Sequence, residues 1–245
     1  MKRIALLLLA LTTLFAGCDV LGTKSLLLSD QADKARVNGD YENAIELYTQ
    51  SISDSPSAAI YGNRAACHAR LEDFANAIAD YSKAIQLTEA DSTLKESSRD
   101  RLLHSWLFHR AFTNQRSGND TAAIPDYERT IALDEKIFGS AVGPESRRPD
   151  AMNNLAWILA TSKNPSVRDA KRALIFAGKE CERTEWKEAA TLDTIAAAYA
   201  ADGDFEKAIE MQQKAISLNK VAERQSGFEE RLNVYQSGKP FVDDR

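Results

Sequence analysis

One short residue pattern recurs five times along the chain, and this repetition constrains the fold more than any other feature. Four copies have an Ala-Ile pair at the start of their second half, and the remaining copy has Ala-Leu. The aligned alanines are Ala44, Ala77, Ala123, Ala173 and Ala208, spaced 33, 46, 50 and 35 residues apart. Self-similarity at such spacings indicates a chain of stacked supersecondary units, each burying an apolar face against its neighbour.

The second copy shows the pattern most clearly. The small residues Ala65 and Ala77 would let two helix backbones approach at a crossing, and Tyr61, Phe74 and Tyr81 would fill the space around it. Alanine is abundant, and the chain has only 11 Gly and 6 Pro, a composition that favours long helices. This copy resembles the tetratricopeptide repeat (TPR), a helix pair of about 34 residues. The resemblance implies an all-α fold, a TPR α-solenoid of about five helix pairs with a C-terminal capping helix.

The TPR resemblance covers residues 25–220 and divides them into five units. They are predicted at about 25–57, 58–91, 104–137, 149–188 and 189–220. Extra length falls at 91–103, where a helix extension is predicted. It also falls at 138–150, where two glycines and two prolines predict an exposed loop.

The segment after the fifth unit has its own helical signal. Phe228, Leu232 and Tyr235 recur at helical spacing, and Gly238 and Pro240 follow them. The last unit of a repeat array has an outer face that no further unit covers. Residues 221–245 are therefore predicted to form a capping helix and a tail.

Two units carry an arginine and an aspartate at equivalent positions. Arg64 and Asp80 in the second unit correspond to Arg110 and Asp126 in the third, whereas neither position is charged in the other three units. A lone charge in a partly buried place is costly, so the joint occurrence predicts that each pair meets across its two helices. We expect ion pairs Arg64–Asp80 and Arg110–Asp126, with a structural role.

The N-terminus has the features of an export signal. Lys2 and Arg3 precede a 13-residue stretch that ends at Ala16 and is mainly apolar. That stretch is shorter than the ~20 residues of a permanent membrane span and fits a cleaved signal. The Ala16-Gly17-Cys18 sequence resembles the lipobox of bacterial lipoproteins, although Phe15 replaces the usual leucine. An ordinary signal peptide with a chance cysteine is the alternative.

The lipobox resemblance implies a location as well as a modification. Residues 1–17 would be removed as a lipoprotein signal peptide, Cys18 would carry the lipid with its palmitate-type acyl chains, and 18–24 would be a tether. The protein would then be lipid-anchored in the bacterial cell envelope and face the periplasm. Asp19 implies the inner membrane if enteric sorting rules apply, and otherwise the choice of membrane stays open.

Composition and motifs exclude several function classes. The formal net charge is −5 and no basic block occurs, so nucleic acid is not an expected partner. The sequence has no phosphate-binding glycine-rich loop and no hydrolase or metalloprotease motif, so no catalytic residues are assigned and the chain is not expected to be an enzyme. No metal or cofactor is expected, because the three histidines are not spaced to share a helix face. Cys67 and Cys181 are expected to be buried free thiols.

In TPR arrays the first helix of each unit lines the concave side, and the resemblance implies a partner-binding groove there. Asparagine amides can donate to and accept from a peptide backbone, and aromatic side chains are enriched at binding hot spots. For the aromatics, packing between neighbouring units is the alternative. The candidate groove residues are Asn63, Phe108, His109, Phe112, Asn153, Asn154, Trp157 and Asp193.

One specific TPR site can be rejected from the residues. Some TPR proteins hold the C-terminal carboxylate of a chaperone with five lysine, asparagine and arginine side chains. Asn63 matches one of those positions, but the other four hold Ser29, Asp33, Ser105 and His109. Such a set would not hold a terminal carboxylate.

The function expected from these observations is that of a membrane-anchored adaptor that binds a protein or peptide partner in the envelope. Two alternatives remain: an architectural subunit of a secretion, pilus or envelope-assembly complex, held through its convex face or loops, and a hydrolase of envelope polymers. Some TPR arrays also form homodimers through their terminal helices, and the residues do not decide whether this chain does.

Overall fold

The computed structural model describes residues 23–139 and 150–244. Within these ranges the chain forms eleven helices and a single β-bridge between Ser162 and Asp243. The helices are α1 (23–37), α2 (Tyr41–Asp54), α3 (Ala58–Arg70), α4 (Phe74–Ala90), α5 (Glu96–Arg116), α6 (Asp120–Phe138), α7 (Ala151–Thr161), α8 (Ala170–Arg183), α9 (Ala189–Ala201), α10 (Phe205–Leu218) and α11 (Ala222–Gln236).

The second helix of each pair starts at a similar local signal. An aspartate or asparagine precedes each of α2, α4, α6, α8 and α10. In four of the five helices this side chain accepts a hydrogen bond from a backbone N–H in the first turn, as Asp169 does from Arg172 at 3.0 Å. The cap satisfies a donor that has no partner within the helix, and this explains why the chain re-enters a helix after each short turn.

The aligned alanines lie at the helix crossings, as the repeat predicts. All five have no exposed surface. In the second pair, Ala65 of α3 and Ala77 of α4 form one cluster with the buried ring of Tyr81, and Trp106 of α5 packs against it. A larger residue at either alanine would force the two backbones apart, so these positions set the separation and register of the pair.

Both predicted ion pairs are present. The Arg64 guanidinium donates to the two carboxylate oxygens of Asp80 at 2.7 and 2.8 Å, and Arg110 donates to Asp126 at the same two distances. Both aspartates are buried. A bidentate arginine supplies charge and geometry together, so each pair ties the first helix of its unit to the second.

The described residues group into two compact units, and the boundary between the units falls within α5, between His109 and Arg110.

The predicted helix extension at 91–103 holds only for its second part, because a turn occupies 91–95 and α5 begins at Glu96. The predicted 138–150 loop lies largely outside the described residues. In the second unit, α11 follows the fifth helix pair, and its Phe228 packs with Leu192 and Ala215 in one cluster. None of the helices in the described ranges is long and apolar enough to cross a membrane.

Gly62 provides a test of the packing between α3 and α5. A Cβ atom at this position would lie 2.5 Å from Cη2 of Trp106, well inside van der Waals contact. We expect Gly62→Ala to lower the free energy of unfolding by about 1–2 kcal/mol, because overpacking outweighs the helix propensity gained. Urea unfolding followed by circular dichroism measures this.

The matched control is Gly178→Ala in α8, where an added Cβ meets nothing within 4 Å. That variant should gain about 0.5–1 kcal/mol, because alanine restricts the unfolded chain. A Gly62→Ala protein as stable as the Gly178→Ala protein would contradict this description of the packing.

Candidate functional site

In the first unit, the candidate Asn63 belongs to a hydrogen-bond network around Asp33. Asp33 Oδ1 accepts hydrogen bonds from the Tyr48 hydroxyl at 2.5 Å, from Asn63 Nδ2 at 3.2 Å and from Arg36 at 3.3 Å. Burial raises the pKa of Tyr48 well above its ordinary value, so the phenol stays protonated and donates. A carboxylate at the centre of this network disfavours an anionic ligand, in agreement with the rejected carboxylate clamp.

Phe108 and His109 lie on α5 within the first unit and differ in exposure. His109 is exposed, and its ring stacks on that of Tyr81 with centroids 5.8 Å apart and an interplanar angle of 15°. Phe108 is half-buried and meets the His109 ring edge-on at 5.5 Å. Phe108 therefore contributes packing, whereas His109 also has exposed surface.

In the second unit, three candidates have different environments. Phe112 of α5 is 41% exposed. Asn154 of α7 donates to the Tyr127 hydroxyl at 3.2 Å, and that hydroxyl donates to Gln115 at 2.7 Å. The buried Oδ1 of Asn153 accepts a hydrogen bond from no described residue. Buried acceptors are normally paired, and because this oxygen is buried a ligand would reach it only after neighbouring side chains moved.

The assignment of Asp193 to an open groove is wrong. Asp193 is only 6% exposed, because Arg231 of α11 donates to its two carboxylate oxygens at 2.7 and 2.9 Å and Gln212 donates at 2.8 Å. Burial raises the pKa of Asp193, while Arg231 opposes that rise. This residue anchors the capping helix, and its partner lies 38 residues away, outside the repeats.

Trp157 of α7 is covered by the chain itself. The extended residues that follow α11 reach its indole, where the ring of Phe241 lies 6.0 Å away at an angle of 47°. The indole Nε1–H donates to Asp243 Oδ2 at 2.9 Å. The backbone N–H of Asp243 donates to the Thr161 carbonyl at 2.8 Å. The sequence leaves groove contact and packing between units open for Trp157, and the contact observed is with the C-terminal tail.

Arg231 links this tail to the capping helix. Its guanidinium lies 5.3 Å from the ring centroids of both Trp157 and Phe228 and 5.5 Å from that of Phe241. A guanidinium over aromatic faces is attracted by their negative charge density. Nothing in the repeat frame indicates Arg231, Phe241 or Asp243, because all three follow the last repeat.

The two remaining cysteines are structural. Cys67 and Cys181 are free and fully buried, and burial raises the pKa of each thiol to about 11. At neutral pH both stay protonated and therefore unreactive. In the described part of the chain, no three His, Cys, Asp or Glu side chains lie together in a way that could hold a metal ion.

Comparison with protein families identifies the repeats. Tetratricopeptide-repeat family models match residues 29–92 and residues 189–222. The first match falls on α1–α4 and the second on α9 and α10. The chain therefore contains TPR repeats, and its fold class is that of an all-α TPR solenoid.

Curated relatives share parts of this repeat region. Serine/threonine-protein phosphatase 5 from Rattus norvegicus is 35% identical over 172 residues, which cover 61% of this chain and 32% of the relative. Protein SGT1 homolog from Oryza sativa subsp. japonica is 46% identical over 61 residues, which cover 24% of this chain and 17% of the relative. The matched residues thus span about a third or less of the length of these relatives. In the phosphatase the similarity covers only the TPR region of that protein.

Solved structures show the same fold. MamA protein has a TM-score of 0.62 at 19% identity, with 85% of this chain and 97% of that one covered. BtubC from P. vanneervenii has a TM-score of 0.59 at 18% identity, with 87% and 82% covered. At these identities the likeness shows the fold alone.

Proposed function

We propose that this chain is a lipid-anchored TPR adaptor that binds another protein in the bacterial cell envelope. TPR domains bind protein or peptide partners. The observation that carries the proposal is the extended C-terminal segment on α7, held by a backbone hydrogen bond to Thr161 and side-chain contacts to Trp157. A helix face that holds one extended polypeptide has the chemistry to hold another.

Further surface of the second unit supports a binding role. Phe112 is 41% exposed, and Asn153 is half-buried with a side-chain oxygen that no described residue uses. Both side chains lie on first helices of their pairs, the helices that TPR proteins use for ligands. An exposed aromatic supplies contact area at little entropic cost, and an amide oxygen accepts from a peptide N–H.

The proposed anchor rests on sequence, since Cys18 lies outside the described residues. Only residues 19–22 separate that cysteine from residue 23, the first residue of α1 that the structure describes. Even fully extended, four residues span at most about 14 Å, so α1 would lie close to the bilayer. Leu26 and Leu27 of α1 are 65% and 59% exposed. Apolar surface near an acyl anchor would add to membrane affinity.

Cell fractionation tests the anchor. With Cys18→Ala we expect most of the protein to move from the membrane to the soluble fraction, because each buried acyl CH₂ contributes about 0.8 kcal/mol of membrane affinity. The matched control is Cys67→Ala, which removes a buried thiol and leaves the lipobox intact. If the Cys18→Ala protein stayed at the membrane, lipidation would not be its anchor.

Photo-cross-linking in intact cells tests the adaptor function. We expect a partner to be captured by the unsubstituted chain and at least about tenfold less by Phe112→Ala with Asn153→Ala, a loss of about 1.4 kcal/mol in binding. This pair is chosen because Phe112 is partly exposed and Asn153 Oδ1 has no described partner, so the fold loses little.

Ile175→Ala is the control for that experiment, since Ile175 is 56% exposed on α8, a second helix. It should leave capture unchanged. Equal capture by all three proteins would rule out the first-helix surface of the second unit. Loss of capture on Ile175→Ala alone would instead place binding on the outer helices, as expected for an architectural subunit.

A further inference from the structure

We propose that the face of α7 around Trp157 docks an extended partner segment with an aromatic residue followed two positions later by a carboxylate, in competition with the chain's own residues 239–244. This inference rests on the proposed protein-binding function and names the class of partner segment. The tail would then compete with the partner segment for the same face of α7.

The backbone contact provides affinity without regard to sequence. The Asp243 N–H donates to the Thr161 carbonyl at 2.8 Å, and Ser162 and Asp243 form a parallel β-bridge. The last carbonyls of a helix have no partner within it, so the end of α7 offers an acceptor to any extended chain. Adding an extended segment through main-chain bonds is a recurring mode of peptide recognition.

The side-chain contacts provide selectivity. The Trp157 indole donates only, and its partner is a carboxylate oxygen of Asp243 at 2.9 Å. The Phe241 ring lies beside Trp157 and beneath the Arg231 guanidinium. An aliphatic residue in place of Phe241 would lose the cation–π attraction. A basic residue in place of Asp243 could not accept the indole N–H.

The spacing of the two selective residues follows from the extended backbone. Successive side chains of an extended segment point to opposite sides. Phe241 and Asp243 therefore share the side that faces α7, while Val242 between them is 39% exposed. The recognised pattern is aromatic, any residue, then aspartate or glutamate.

The tail can leave without unfolding the helix that precedes it. Gly238 has a φ of +70°, and Pro240 has no N–H, so the segment separates from α11 at a sharp turn. The capping helix has attachments that do not involve the tail, because Phe228 packs with Leu192 and Ala215 and Arg231 pairs with Asp193.

Competition within one chain has a quantitative consequence. A segment tethered by a short linker acts at an effective concentration in the millimolar range. A partner segment therefore binds with an apparent affinity reduced by the fraction of sites that the tail leaves open. Weakening the tail contacts should strengthen binding of a separate peptide.

Fluorescence anisotropy with a labelled peptide of sequence 238–245 tests the proposal. The protein is the chain from Cys18 onward with Cys18→Ala, and the test variant adds Phe241→Ala and Asp243→Ala. We expect this variant to bind the peptide at least about tenfold more tightly than the parent chain or its Val242→Ala control. A chain ending at Gly238 is a second tail-free protein.

Three controls assign any binding to the proposed contacts. Adding Trp157→Leu to the tail-free chain should abolish binding, and so should alanine at either the aromatic or the acidic position of the peptide. Binding that survives these changes overturns the proposal. So does failure of both tail-free proteins to bind the peptide or to fold, because the tail would then be part of the core. A concentration-dependent dimer of the parent chain that is lost when the chain ends at Gly238 would show tail exchange between copies, which also overturns it.

This experiment separates the inference from the proposed function. Tail-free chains could fail to bind the peptide while cellular cross-linking still captures a partner through Phe112 and Asn153. In that case the proposed recognition of an aromatic and an acidic residue is wrong, and the adaptor function stands. If neither experiment detects binding, both fail.

Discussion

Close approach of helices at alanine is the constraint on which the rest of the structure depends. Ala65 and Ala77 are fully buried at the crossing of α3 and α4, and equivalent alanines are fully buried in the other pairs. Once backbones are this close, side chains around the crossing have few arrangements left. The ion pair Arg64–Asp80 can then join the two helices with bidentate geometry.

A second consequence appears where the repeats end. The last helix pair has an outer face to cover, and α11 covers it with Phe228, which is 3% exposed. Packing this helix on α10 places Arg231 against Asp193 of α9 and brings the following residues to Trp157. The contact on α7 thus follows from capping the array, and the same geometry gives the tail a place on a first-helix surface.

The repeats were predictable because their signal is periodic and local. Five copies of one pattern indicate the helix pairs, and comparing equivalent positions was enough to predict Arg110–Asp126 without coordinates. The environments of Asp193 and Trp157 were not predictable in this way. Their partners lie 38 and 86 residues later, beyond the last repeat, where no second copy exists for comparison. A repeat frame describes contacts between units, and it cannot describe what a unique terminal segment covers.

In the free protein the tail binds the face of α7 around Trp157. The most direct test is the indole N–H region of a ¹⁵N-correlated NMR spectrum, in which the three tryptophans give three signals and Trp157→Phe identifies one. Ending the chain at Gly238 should shift the Trp157 signal and speed its exchange with solvent, because the bond to Asp243 is lost, while the other two indoles stay in place. An unchanged Trp157 signal would mean that the tail does not bind this face of α7.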